Sequence, residues 1–275
     1  MAYLADWVKT PIERKWLESN LRNAKLKVMI DIHCHIIPNV DDGSRNMEMS
    51  LDMISAAYDS GVRSMVTTPH CYSGMYENYA GEELQKVWDD LHHSVREAGI
   101  PMHLYQGMEI MAREDLPLLL QEGKVWTLNG TRYFLVEFAF NEDPLWCKKI
   151  LSLCIEAGYK PIIAHPARYY FIQDDPSSVY EWYNMGCGIQ VNKDSLLRRN
   201  GHRAYEVANS LLRHHLVSCV ASDAHRNSVR TTDLDEVREF LIKEYGEEYA
   251  YMLLEENPGR ILEGKALVGY TPYPY

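Results

Sequence analysis

The sequence predicts an α/β fold, a barrel of parallel (β/α) units, and three observations carry that expectation. From residue 28 onward short β-branched runs alternate with helical patterns. Several helical stretches close on a glycine suited to a C-cap, at Gly61, Gly99 and Gly158. No linker or low-complexity stretch interrupts the alternation. One (β/α) barrel, short of the usual eight units, accounts for this better than two domains, and 275 residues can bury a substantial core.

Strands are expected at "VMIDIHCHI" (28–36), "VRSMVTT" (62–68), "MHLYQGMEI" (102–110), "YFLVEF" (133–138), "KPIIAH" (160–165), "GIQVN" (188–192) and "LVSCVASD" (216–223), seven in all. Helices are expected near 46–60, 81–98, 143–157, 177–185, 195–213, 233–245 and 247–255. Residues 1–27, with Trp7, Trp16, Leu17 and Leu21 among charges, read as an N-terminal extension carrying one short amphipathic helix; 28–275 is the domain.

Composition narrows the partners. A net charge of −11 argues against binding a phosphate backbone, so nucleic acid is not expected. Six cysteines without a C-x-x-C pair read as reduced, buried thiols of a cytoplasmic protein. No apolar run reaches the roughly 18 residues of a membrane span, so direct insertion is not expected. A homo-oligomer stays open.

The chemistry sits at strand ends. Side chains on a strand repeat every two residues, so Asp31, His33 and His35 should share one face, opposite Ile30, Ile32 and Cys34. A single histidine there is ordinary, but two at this spacing can converge on one metal ion. His33, His35, Asp42, His70, Glu109, Glu137, His165, Asp223 and His225 all fall at or just past the C-terminal ends of strands, where (β/α) barrel sites are built. The histidines His92, His93, His214 and His215 are assigned to solvated helix faces.

Nine such groups are too many for one ion, and three ions with shared carboxylates would fit. Carboxylate and imidazole donors suit Mn, Fe, Zn or Ni rather than Ca. Four carboxylates and five neutral imidazoles against three divalent ions leave the cavity net positive, which favours a phosphate ester and acidifies a bound water. No cysteine is followed by the arginine of a C-x5-R loop, so a thiolate mechanism is not expected; attack by a metal-bound hydroxide is.

At "DIHCHIIPNVDDGSRNMEMSL", "TTPH", "AHPARY" and "SDAHRNSVR" the chain resembles the PHP (polymerase and histidinol phosphatase) family, in its bacterial capsular and exopolysaccharide tyrosine-protein phosphatase branch, over about residues 29–268. The resemblance implies a distorted (β/α)7 TIM-like barrel with a trinuclear site, most commonly manganese, with Fe, Zn, Ni or Mg as alternatives. It implies that His33, His35 and Asp223 bind one ion with a bridging Glu109. Glu109, Glu137 and His165 would hold a second, and Asp42, His70 and His225 a third. Arg168 and Arg230 would bind phosphate, joining Asp223 and His225 as catalytic residues; Arg226 lies four residues from Arg230, and the plain alternative is that either is a solvated loop residue. Ala167 stands where the family usually has Glu, and "HCYSGMYENY" matches no pattern. The implied substrate is the phosphotyrosine tail of a bacterial tyrosine kinase.

Alternatives are a small-molecule phosphatase such as one for histidinol phosphate, a polymerase-associated exonuclease, which the acidic balance disfavours, or a metal-binding regulatory module without turnover. The terminal "GYTPYPY", with Tyr270, Tyr273 and Tyr275, either packs on the barrel or serves as a kinase-tail mimic or phosphorylation target.

Overall fold

The computed structural model describes residues 28–275, so the helix expected within the N-terminal extension lies outside the described residues. The strands are β1 (Met29–Cys34), β2 (Val62–Thr67), β3 (His70–Tyr72), β4 (Tyr76–Glu77), β5 (His103–Gln106), β6 (Glu109–Met111), β7 (Tyr133–Glu137), β8 (Lys160–Ile163), β9 (Gly188–Asn192) and β10 (Cys219–Ala221). They form two ladders, β1-β2-β5 and β10-β9-β8-β7-β6-β3-β4. Every pair is parallel except the β3–β4 hairpin.

The expected strand at 102–110 is broken in two, as β5 and β6, while the one at 62–68 is found as β2 and pairing resumes beyond its expected end in β3. Thr67 pairs with Gln106 below the break and His70 pairs with Glu109 above it, so the same neighbours resume after an interruption. Pro69 supplies no N–H to a ladder. At Gly107 a Cβ would lie 2.7 Å from Val66 Cγ1 and 2.8 Å from Leu128 Cδ2, so only glycine allows the close approach. At the far edge a parallel bridge joins Cys34 to Ala224, bringing β10 against β1. The sheet is therefore curled, in a mixed α/β fold, with its strands divided between a three-strand and a seven-strand ladder.

Alternation sorts the core. Val66, Leu135, Ile162, Cys219 and Ala221 form an inner cluster, whereas their neighbours Met65, Val136, Ile163 and Val220 pack outward. Ile32 joins the inner cluster and Cys34 the outer one, and between Asp31 and Cys34 the register with β2 slips. The expectation that Asp31 shares a face with His33 and His35 is corrected here. A bulge adds one residue and re-aims the side chains beyond it, and Asp31 bonds Ser222 through Oδ2···Oγ at 2.5 Å.

Helices α1 (Met47–Asp59), α2 (Glu82–Glu97), α3 (Leu116–Gln121), α4 (Pro144–Glu156), α5 (Tyr170–Asp174), α6 (Ser177–Asn184), α7 (Lys193–Leu196), α8 (His202–Arg213) and α9 (Asp235–Tyr245) cover the outer face. The expected helix 195–213 is divided at Gly201, whose φ of 90° is left-handed, and α3 was not expected. Gly61, Gly99 and Gly158, at φ 96°, 69° and 87°, end α1, α2 and α4 as C-cap glycines should.

His214 and His215 depart from the solvated role assigned to them. Their Nδ1 atoms lie 3.1 Å from the Tyr273 carbonyl and 3.2 Å from the Thr271 carbonyl. The Tyr275 ring stacks on His214 at 4.1 Å, and Tyr270 and Tyr273 flank His215 at 5.1 and 5.2 Å. A flat imidazole with an N–H donor suits a tail of aromatic rings and carbonyls. The tail thus packs on the turn that enters β10, at the end of the strand opposite Asp223.

Candidate metal centre

Three of the histidines have their orientation fixed from behind. His33 Nδ1 lies 3.0 Å from Gln190 Oε1, His35 Nδ1 lies 2.9 Å from Asp41 Oδ2, and His225 Nδ1 lies 3.0 Å from the Asp223 carbonyl. Each partner atom is an acceptor, so the proton belongs on Nδ1 and the Nε2 lone pair points inward. His33 Nε2 and His35 Nε2 then meet at 3.2 Å. Both stand 3.2 Å from Glu109 Oε2 and 3.5 Å from Asp223 Oδ1.

The remaining candidates gather around this pair. His35, Asp42, His70 and His225 form a second group and His70, Glu109 and Glu137 a third, in each of which the ligand atoms lie within 4.8 Å of one another. His165 Nε2 is 2.8 Å from Glu109 Oε1 and 3.6 Å from Glu137 Oε1. Glu109 therefore touches His33, His35, His70 and His165. Every one of the nine sequence candidates is brought into this cluster.

Three buried polar atoms in it, Glu109 Oε2, His165 Nδ1 and His225 Nε2, have no hydrogen-bond partner, and Asp223 Oδ1 is matched by the Arg230 guanidinium. Orphaned groups of this kind are costly, and acceptor atoms facing one another are satisfied by cations. The donor set fits divalent ions held by nitrogen and oxygen.

The electrostatics favour positive charge at the centre. Burial pushes the imidazoles of His33 and His35 down, but the surrounding carboxylates outweigh it and hold both above the usual range. Burial lowers His70 to about 4, and burial with the nearby Arg168 lowers His165 to about 4, so both offer free lone pairs at neutral pH. Burial would raise Glu109 and Asp223, yet the histidines hold both well below the carboxylate range. Glu137 goes up, through burial and then the Glu109 and Asp223 charges.

The two arginines named from the sequence converge on one carboxylate. Arg168 Nη1 lies 3.1 Å from Asp223 Oδ2 and Arg230 Nη2 lies 2.7 Å from Asp223 Oδ1, at the open side of the cluster. Arg226 turns away to the carbonyls of Asp42 and Gly43. His165, Asp223 and Arg230 adopt left-handed φ of 34°, 50° and 49°. Such backbone is unfavourable for side-chain-bearing residues and persists where surrounding contacts over-determine it.

Several contributors were missed in the sequence. Asp41, beside the chosen Asp42, bonds His35 and also accepts from the His70 N–H at 3.0 Å. Gln190 and Asn192 come from β9, which among the seven strands expected from the sequence was the one without a candidate; Asn192 Nδ2 donates to Asp223 Oδ2. The alternation of Gln190 and Asn192 in "GIQVN" was the available signal. Buried Lys193 donates to Thr231 Oγ1 at 3.1 Å and to the Asp233 carbonyl at 2.7 Å, fixing the segment just beyond Arg230.

The family model for capsular polysaccharide synthesis, CpsB/CapC, matches residues 29–263. The chain belongs to the CpsB/CapC family. It is 33% identical over 246 residues to the tyrosine-protein phosphatase YwqE of Bacillus subtilis, covering 90% of this chain and 96% of YwqE. It is 32% identical over 240 residues to the tyrosine-protein phosphatase CpsB of Streptococcus agalactiae, covering 86% of this chain and 98% of that protein. One solved chain comes from crystal structures of YwqE from Bacillus subtilis and CpsB from Streptococcus pneumoniae, described as unique metal-dependent tyrosine phosphatases. It superposes with a TM-score of 0.85 at 33% identity, over 90% of this chain and 99% of that one. A lactonase from Listeria monocytogenes, with a TM-score of 0.56 at 10% identity, shares the fold alone. As a CpsB/CapC member the chain carries the converged histidines, carboxylates and paired arginines within the matched span.

Proposed function

We propose that this chain is a metal-dependent protein-tyrosine phosphatase that removes phosphate from the tyrosine-rich tail of a bacterial capsular or exopolysaccharide tyrosine kinase. The observation that carries the reading is the meeting of inward-facing imidazole nitrogens and carboxylate oxygens, some of them unpaired, beside two arginines. The catalytic unit is residues 28–275, a distorted (β/α)7 barrel preceded by the extension 1–27, acting in the cytoplasm. Among the described residues no helix is long and apolar enough to cross a membrane.

Three divalent ions, manganese first among them, would be held by His33, His35, Glu109 and Asp223; by Glu109, Glu137 and His165; and by Asp42, His70 and His225. Bound divalent cations supply Lewis-acid neutralisation of phosphate charge and acidify water. The protein's own residues do the rest. Arg168 and Arg230 lie at the open side, where their guanidiniums can swing from Asp223 to the phosphate oxygens and hold the ester for in-line attack. Phe140 supports Arg168, whose Cζ lies 4.9 Å from the ring centroid. Asp41 and Gln190 keep His35 and His33 in the tautomer that leaves Nε2 free.

The reading is tested by metal content measured on the purified chain together with turnover of a phosphotyrosine peptide, the matched phosphoserine peptide and histidinol phosphate. Bound transition metal and preference for phosphotyrosine are expected. A preference for histidinol phosphate would reassign the substrate, and a metal-loaded protein hydrolysing none of them would make it a binding module.

A further inference from the structure

Beside the candidate metal centre lies a cavity of about 330 Å³. Its lining includes Asp42, His70 and Glu137 of that centre and the apolar or aromatic side chains of Met75, Tyr76 and Phe140. Met75 and Tyr76 come from the unassigned "HCYSGMYENY" hairpin and Phe140 from the turn after β7. The aromatic faces are tied to the centre. The Tyr76 ring lies parallel to His70, 5.6 Å away with 13° between planes, and the Phe140 ring meets His165 edge-on at 6.4 Å. Met75 is 63% exposed, an unbranched apolar side chain left in water at the cavity mouth.

We propose that Met75, Tyr76 and Phe140 form a slot that grips the phenyl ring of phosphotyrosine and so selects aryl over alkyl phosphomonoesters. The inference rests on the phosphatase reading. With phosphate held between the arginines and the ligand cluster, the group esterified to it projects into the slot. There a ring finds two aromatic side chains and a flexible thioether, a combination suited to a flat apolar ligand. A serine ester carries its peptide backbone almost at the phosphate, so it would place polar amides against these rings without filling the slot.

Two phosphonates that share a head group separate the slot from the phosphate site. The manganese-loaded full chain is titrated calorimetrically with methylphosphonate and with phenylphosphonate, and the ratio of dissociation constants is read. Burying a phenyl ring predicts roughly tenfold or more in favour of phenylphosphonate. Tyr76→Ala and Met75→Ala should each shrink that ratio several-fold, and Tyr76→Phe should restore it, because the ring and not the hydroxyl makes the contact. Met75 is exposed, so its replacement leaves packing intact, and circular dichroism checks the Tyr76 variants. A wild-type ratio near one with methylphosphonate still bound, or a ratio unmoved in both alanine variants, would overturn the slot and leave the phosphatase reading standing. Binding of neither phosphonate would overturn both.

Discussion

His33 Nε2 and His35 Nε2 face each other at 3.2 Å, with Glu109 Oε2 at 3.2 Å from each. Two neutral imidazoles whose protons are committed elsewhere repel at that distance, and two imidazoliums repel more strongly. A shared cation, or a single shared proton, resolves the contact.

Removal of a ligand should therefore empty the centre. His33→Ala and Asp223→Ala are expected to abolish phosphatase turnover and reduce bound metal, read by elemental analysis alongside the assay. Gln190→Leu touches no expected ligand position, yet it frees the His33 tautomer and should weaken metal binding by about 10- to 100-fold. Unchanged metal affinity in Gln190→Leu would mean that His33 is not a ligand.

Protons and cations compete for the same nitrogens. His33 and His35 sit above the usual imidazole range because nearby carboxylates outweigh their burial. In the metal-free protein their protonation adds stability that is complete below the unfolded pKa and is lost as pH rises through the raised folded value. Glu109 and Asp223, held low, add stability above the unfolded carboxylate pKa that is lost on acidification. Metal binding must expel the histidine protons, so affinity should rise between about pH 6 and about pH 8 while metal-free stability declines. Calorimetric titration at both values checks the first part and thermal melts of chelated protein the second.

Thiols should be spectators. All six cysteines are buried, and burial raises Cys71 to about 11 and Cys154 and Cys187 to about 12. Iodoacetamide on the native protein should leave turnover intact, and Cys219→Ser should stay within about twofold of wild type. Stoichiometric loss of activity on alkylation would point to thiolate chemistry.

The tyrosine tail is bound away from the centre. Truncation after Gly269 removes the contacts of Tyr273 and Tyr275 with His214 and of Tyr273 with His215. It should lower stability by about 1–2 kcal/mol, as expected for a few aromatic contacts, with kcat/KM on a phosphotyrosine peptide unchanged. A fall in kcat/KM would tie the tail to catalysis.

The sequence carried the site further than it carried the sheet. Nine charged or imidazole groups in apolar runs were legible because such residues are costly in a core unless they share a task. Gln190 and Asn192 were passed over, since uncharged amides are poor ligands and only their alternation in "GIQVN" marked a polar inner face. Choosing Asp42 without Asp41 overlooked a residue that only the loop geometry aims at His35. Placing Asp31 with the histidines failed because one inserted residue in β1 breaks the two-residue repeat, and a bulge leaves no mark in the amino-acid pattern. The breaks at Pro69 and Gly107 were visible as residue types, although a proline at a strand end also reads as an ordinary terminus. Arg230 meets Asp223 from a left-handed backbone that no residue type in "RNSVR" marks.

An anomalous-scattering map from crystals of the chain grown with manganese tests the central claim most directly. A peak among His33 Nε2, His35 Nε2, Glu109 Oε2 and Asp223 Oδ1, with further peaks beside Glu137 and His165 and beside Asp42, His70 and His225, is the predicted result. A map with no peak at the first position would contradict the account.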